Sequence, residues 1–158
     1  MPSQSSMQSV ALVTGGNRGI GFEIARQLAA HGVRVIIGSR DLAKGQAAAD
    51  ELGGAAKGVA AVALDVASAD SIQTAITAIE NQHGPIAILV NNAGILIDGP
   101  GGFSSSLFDM TEDSARRTWE TNVLGPTRLI QAIVPGMRAR GYGRVVNEIG
   151  RASCRERV

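Results

Sequence analysis

Residues 10–21 read VALVTGGNRGIG, an apolar run that passes straight into a turn with glycines at 15, 16, 19 and 21. The run has the length and Val-rich composition of a buried strand, and GIGFEIARQLAA after it carries apolar residues at helical spacing. A glycine-rich turn between a strand and a helix lets the backbone bend sharply and approach a ligand closely. The unpaired N–H groups at the helix start then meet an anion. This stretch is therefore read as the pyrophosphate cradle of a dinucleotide, formed by Gly15, Asn17, Arg18, Gly19, Ile20 and Gly21. The bland alternative is a tight turn with no ligand. Its place at the head of a series of strand–helix units favours binding.

Outward from this turn the same alternation repeats. Apolar runs at 10–14, 33–38, 59–64, 86–91 and 144–147 are read as strands, and segments of helical period at 19–30, 42–52, 68–82 and 111–140 as helices. The last helix is expected to break near Gly125-Pro126 into 112–121 and 127–140, because proline lacks a backbone donor. His31-Gly32, Gly53-Gly54 and His83-Gly84-Pro85 punctuate the helix ends as glycine caps do. The pattern is that of an α/β protein with a Rossmann-type doubly wound parallel sheet. One long connection, 94–110, holds DGPGG and three serines, a length more typical of functional loops.

Composition agrees and narrows the function classes. The chain has 158 residues, 44% of them hydrophobic but only 3% aromatic, with 20 glycines, which suits one domain with an aliphatic core. A net charge of +1 and few aromatics argue against a nucleic-acid surface. One cysteine, Cys154, permits no internal disulfide, and His31 and His83 are read as helix-end residues rather than metal ligands, so no metal is expected. No apolar run approaches the ~18 residues of a membrane span. Residues 1–9 are Ser/Gln-rich without the features of a signal peptide and are read as a loose leader, giving a cytoplasmic expectation.

The second strand decides between dinucleotides. Where an acidic residue would accept hydrogen bonds from an NAD ribose, the chain has Gly38-Ser39-Arg40. A guanidinium there pairs with a 2′-phosphate through charge-assisted hydrogen bonds of roughly 1.5–3 kcal/mol. Arg18 can supply a second positive charge, so NADP(H) is expected over NAD(H).

With TGGNRGIG at 14–21, Asp65-Val66 after the third strand, NNAG at 91–94 after the fourth and Asn122 in TNVLGP, the chain resembles the short-chain dehydrogenase/reductase family over residues 10–147. The resemblance implies that Asp65 accepts from the adenine amino group, that the Val66 backbone holds the ring, and that Asn92, Ala93 and Gly94 lie beside the cofactor. It further implies an NADP(H)-dependent oxidoreductase interconverting a small-molecule alcohol and carbonyl, with catalysis by Asn, Ser, Tyr and Lys. Asn122 matches the first of these. The single tyrosine, Tyr142, is followed four residues later by Val146, so no Tyr-x-x-x-Lys is present.

Residues 148–158, EIGRASCRERV, resemble the translation of a common high-throughput sequencing adapter and are read as a non-native tail, the alternative being a short basic tail. Without them the basic and acidic residues balance at twelve each. The expectation is a C-terminally truncated domain, residues 10–147, with retained strand order 3-2-1-4-5 and no counterpart of the catalytic Ser, Tyr and Lys. On that reading the polypeptide itself is inactive. A non-catalytic nucleotide-binding or sensing module is the competing reading, and both a monomer and a homo-oligomer are open for the full-length protein.

Overall fold

The computed structural model describes residues 9–96 and 107–148. Residues 1–8, 97–106 and 149–158 lie outside the described residues, and with them all but one residue each of the expected leader at 1–9 and the expected tail at 148–158. Five strands alternate with helices: β1 (Val10–Thr14), α1 (Gly19–Ala30), β2 (Arg34–Ser39), α2 (Leu42–Glu51), β3 (Val59–Ala63), α3 (Ala69–His83), β4 (Ile86–Asn91), α4 (Glu112–Trp119), α5 (Gly125–Ala139) and β5 (Arg144–Asn147). All strand pairs are parallel and the order is β3-β2-β1-β4-β5. The chain thus has the Rossmann-type doubly wound topology.

Side chains that alternate along each strand sort into two cores, one on each face of the sheet. Leu12, Ile36 and Leu89 face α3 and α5, packing with Ile72, Ile76, Ile79, Leu129, Ile133 and Met137. Val13, Val35, Ile37 and Val90 face the other way, against Ala25 of α1 and Ala48 and Ala49 of α2. The alanines let α2 lie close to the sheet, with Gly45 opposite Ser39 and Ala61. Such strands are buried on both faces, which explains why their sequences are continuous apolar runs rather than alternating ones.

The helices are capped by the residues that chemistry favours. Asp41, Ser68 and Thr111 accept from backbone N–H groups in the first turns of α2, α3 and α4, and Thr111 and Ser114 form a reciprocal pair. Gly32 and Gly84 take positive φ just past α1 and α3, where a side chain would be strained. Strand and helix limits agree with the sequence reading to within one or two residues.

One expectation fails. No break occurs at Gly125-Pro126: α4 continues through a π turn at Glu120–Leu124 directly into α5. The Gly125 N–H reaches back to Glu120 O, five residues away, and this extra residue resets the hydrogen-bond frame. Pro126 then falls at the start of α5, where its missing donor costs little.

Candidate nucleotide site

Strands β1, β2, β3 and β4 end at the same edge of the sheet, and the turns that follow them enclose a cleft of about 980 Å³. Ligand clefts of doubly wound sheets lie at this carboxyl edge, where neighbouring connections run to opposite faces. The structure brings ten of the expected residues to its walls: Gly15, Asn17, Arg18, Gly19, Arg40, Asp65, Val66, Asn92, Ala93 and Gly94. Ile20, Gly21 and Asn122 do not line it.

The floor is set by a buried hydroxyl. Thr14 Oγ1 donates to Val90 O across 3.3 Å and accepts from the N–H groups of Asn92 (3.0 Å) and Ala93 (2.9 Å). The Asn92 amide donates in turn to Thr14 O and Gly15 O at 3.0 and 3.2 Å. The phosphate-type turn after β1 is thereby fastened to the NNAG segment after β4. Gly21 has no direct part in the cleft because it is a packing position: a Cβ there would press on Asn92 Nδ2 and stand 2.6 Å from Gly15 O.

The start of α1 differs from those of α2, α3 and α4. No side chain caps it; its N-cap residue, Arg18, has extended backbone. Gly19, at φ +59°, has open space where a Cβ would project. Uncapped N–H groups beside open space suit a diphosphate, which completes the helix in place of a capping side chain. The residues present therefore fit a dinucleotide.

Beyond β2 the cleft is bordered by cations. Arg18 and Arg40 are joined by Lys44, which nothing in the sequence singled out. Its ammonium lies 3.6 Å from the Asp41 carboxylate, which also caps α2 through the Lys44 N–H. Ser39 Oγ donates to Asp41 O at 2.8 Å and fixes the bend between β2 and α2. Asp41 and Glu51 also line the cleft, so its charge is mixed rather than uniformly positive.

At the end of β3, Asp65 lines the cleft, and one of its carboxylate oxygens accepts the Ala67 N–H at 3.0 Å in a tight turn. Val66 backs onto Gly125, whose Cβ, if present, would stand 2.7 Å from Val66 O. Asn122 sits in the π turn and grips the backbone just past NNAG. Its Nδ2 donates to Ile95 O (2.7 Å) while its Oδ1 accepts from Ile95 N–H (2.9 Å). Thr121, its neighbour, lines the cleft and was not singled out by the sequence. Tyr142 is far from this constellation in role: it lies between α5 and β5, exposed, with the Arg144 guanidinium 5.0 Å above its ring. Among the described residues no group of three or more His, Cys, Asp or Glu side chains could hold a metal, and no helix is long and apolar enough to cross a membrane.

Comparison with known proteins gives the same picture. The short chain dehydrogenase family model matches residues 9–155. Galactitol 2-dehydrogenase of Agrobacterium fabrum is 38% identical over 148 residues, covering 92% of this chain and 54% of the relative. The 3-oxoacyl-(acyl-carrier-protein) reductase FabG of Vibrio cholerae is 40% identical over 138 residues, covering 87% and 53%. Among solved structures, a variant of actinorhodin polyketide ketoreductase with NADPH superposes with a TM-score of 0.84 at 32% identity, covering 96% of this chain and 56% of that one. A gluconate 5-dehydrogenase from Burkholderia cenocepacia, in complex with NADP and tartrate, gives 0.77 at 32%, covering 88% and 52%. The chain spans about half the length of the relatives it matches. Glycine-rich turn, strand order, NNAG segment and family match converge: the chain belongs to the short-chain dehydrogenase/reductase family of oxidoreductases.

Proposed function

We propose that this chain is the nucleotide-binding part of an NADP(H)-dependent oxidoreductase that interconverts a small-molecule alcohol and a carbonyl. The observation that carries the cofactor choice is the border of the cleft beyond β2, where Arg18, Arg40 and Lys44 stand and Ser39, at the strand end, brings no charge. A carboxylate at the strand end would repel a 2′-phosphate, whereas a guanidinium binds it bidentately. The Asp41 carboxylate does not act as that repelling group in this reading, because it is engaged with the α2 start and with Lys44.

The residues divide the cofactor between them. The uncapped start of α1, with Gly15, Asn17 and Gly19, holds the diphosphate through backbone N–H groups, and Gly21 keeps the turn closed on Asn92. Asp65 and Val66 receive adenine, and Asn92, Ala93 and Gly94 border the middle of the cofactor. When bound, the nicotinamide ring supplies hydride chemistry. Asn122 is the family's catalytic asparagine in this reading, and the chain's own residues bind and orient rather than transfer a proton, since Tyr-x-x-x-Lys is absent from it.

Arg40→Asp tests the assignment. NADPH affinity, followed by nicotinamide fluorescence, should fall by about a hundredfold, corresponding to the upper end of a charge-assisted pair, while NADH affinity changes little. Equal loss of both cofactors would overturn the NADP(H) reading.

A further inference from the structure

The π turn that carries Asn122 is tied to the adenine side of the cleft through one guanidinium. Arg128, in the first turns of α5, donates from Nη1 to Glu120 Oε1 at 2.5 Å and to Ala67 O at 3.3 Å. Glu120 is the first residue of the π turn, eight positions before Arg128 and roughly 12 Å along a helix axis, so the two long side chains must extend toward each other over the turn. Ala67 is held from both ends: its N–H by the Asp65 carboxylate and its carbonyl by Arg128. Between these contacts Gly125 lies directly on Val66. The same π turn presents Asn122 to both backbone groups of Ile95, just past the NNAG segment.

A π turn has weaker, wider hydrogen bonding than the helix on either side, and its placement of side chains depends on what braces it. The brace here is a bridging guanidinium whose two acceptors belong to different segments. Arginine suits this because its planar fork offers several donors in fixed directions. The α5 start is thus fastened to the turn before it and to the loop beneath it by the same group.

We propose that Arg128 is a positioning residue that holds the π turn, and with it Asn122, in register with the adenine-side loop at 65–67. The inference rests on the nucleotide-site reading for its functional meaning, and on geometry alone for the link between Arg128 and Asn122. Without the guanidinium, the clamp of Asn122 on Ile95 loosens and Asp65-Val66 lose their backing.

The test uses the full chain and its Arg128→Met variant, which keeps the apolar stem and removes the bridge. Hydrogen exchange at the Ile95 N–H, observed by NMR, should accelerate about tenfold or more and the Asn122 side-chain amide resonances should move. Exchange at Leu12 and Leu89 in the core should not change. Affinity for adenosine 2′,5′-bisphosphate, titrated calorimetrically, should weaken about tenfold, and Arg128→Lys should restore part of both effects. Unchanged Ile95 exchange with the core intact would overturn the proposal. If Arg128→Met loses core protection as well, Glu120→Gln decides: faster Ile95 exchange over a protected core supports the brace, and no change refutes it. Failure of the unaltered chain to bind adenosine 2′,5′-bisphosphate would defeat the nucleotide reading while the exchange experiment still judges Arg128.

Discussion

Replacing Gly21 by alanine sets two opposing effects against each other, and the structure says which should win. Gly21 is the third residue of α1, where alanine would ordinarily stabilise the helix by about 1 kcal/mol. Here the new methyl would stand 2.6 Å from Gly15 O and press on the Asn92 amide. That amide supplies hydrogen bonds to Thr14 O and Gly15 O, and its withdrawal forfeits about 1 kcal/mol for each. Displacing the Gly15 peptide adds roughly 1–3 kcal/mol of overpacking. The net expectation is a loss of about 2–4 kcal/mol, or roughly 5–15 °C in Tm for a domain of this size. Urea unfolding followed by circular dichroism measures it. In an Asn92→Ala background, where the amide is already gone, the added cost of Gly21→Ala should shrink by about 2 kcal/mol. If Gly21→Ala proves as stable as the unaltered protein, helix propensity has won and the close-packing argument is wrong.

Further outcomes follow from other contacts. Thr14→Val keeps shape but leaves the N–H groups of Asn92 and Ala93 without their acceptor, so about 2–3 kcal/mol should be lost in urea unfolding, and Thr14→Ser should recover most of it. Burial, and secondarily the positive charge of Arg34, holds the His83 pKa below its ordinary 6.5. Unfolded His83 therefore takes up its proton at higher pH than the folded form. Stability is full above the ordinary value and declines as pH falls through it towards the folded pKa, and His83→Gln should flatten the fall in urea midpoint as pH drops below about 6.5. Strand β5 is exposed along its whole length, with Val145 and Val146 in solvent. Val146→Lys should raise several-fold the protein concentration at which light scattering appears, because charged side chains blunt edge-to-edge pairing.

The inner strands were legible because each is an apolar run between turn signals, and strands buried on both faces need nothing subtler, whereas exposed β5 showed only as Val145-Val146. The glycine-rich turn was legible because backbone approach to an anion leaves its mark as missing side chains. What escaped were features whose cause lies in another segment. GP at 125–126 reads as a break when only local donors are counted, and nothing local announces that a π turn has already shifted the frame. Lys44 reads as one solvated lysine of a helix face, and only the fold places it beside Arg18 and Arg40. Thr14 was visible as part of TGGNRGIG, but its role depends on Val90, Asn92 and Ala93, more than seventy residues away. Asp65 showed a further limit: the family resemblance implied an acceptor for adenine, and the structure commits one of its oxygens to the Ala67 turn.

The bend between β2 and α2 has a consequence for how such a protein can change over generations. Ser39 is buried and α2 is anchored by small residues against the sheet, yet Arg40 and Lys44 stand outside that packing and support none of it. A lineage can therefore exchange these two side chains without renegotiating the core, and on the proposed cofactor reading its source of reducing equivalents changes with them. The fold separates what must be inherited together from what can drift alone, and on the proposed reading the choice between phosphorylated and unphosphorylated cofactor falls on the side that can drift.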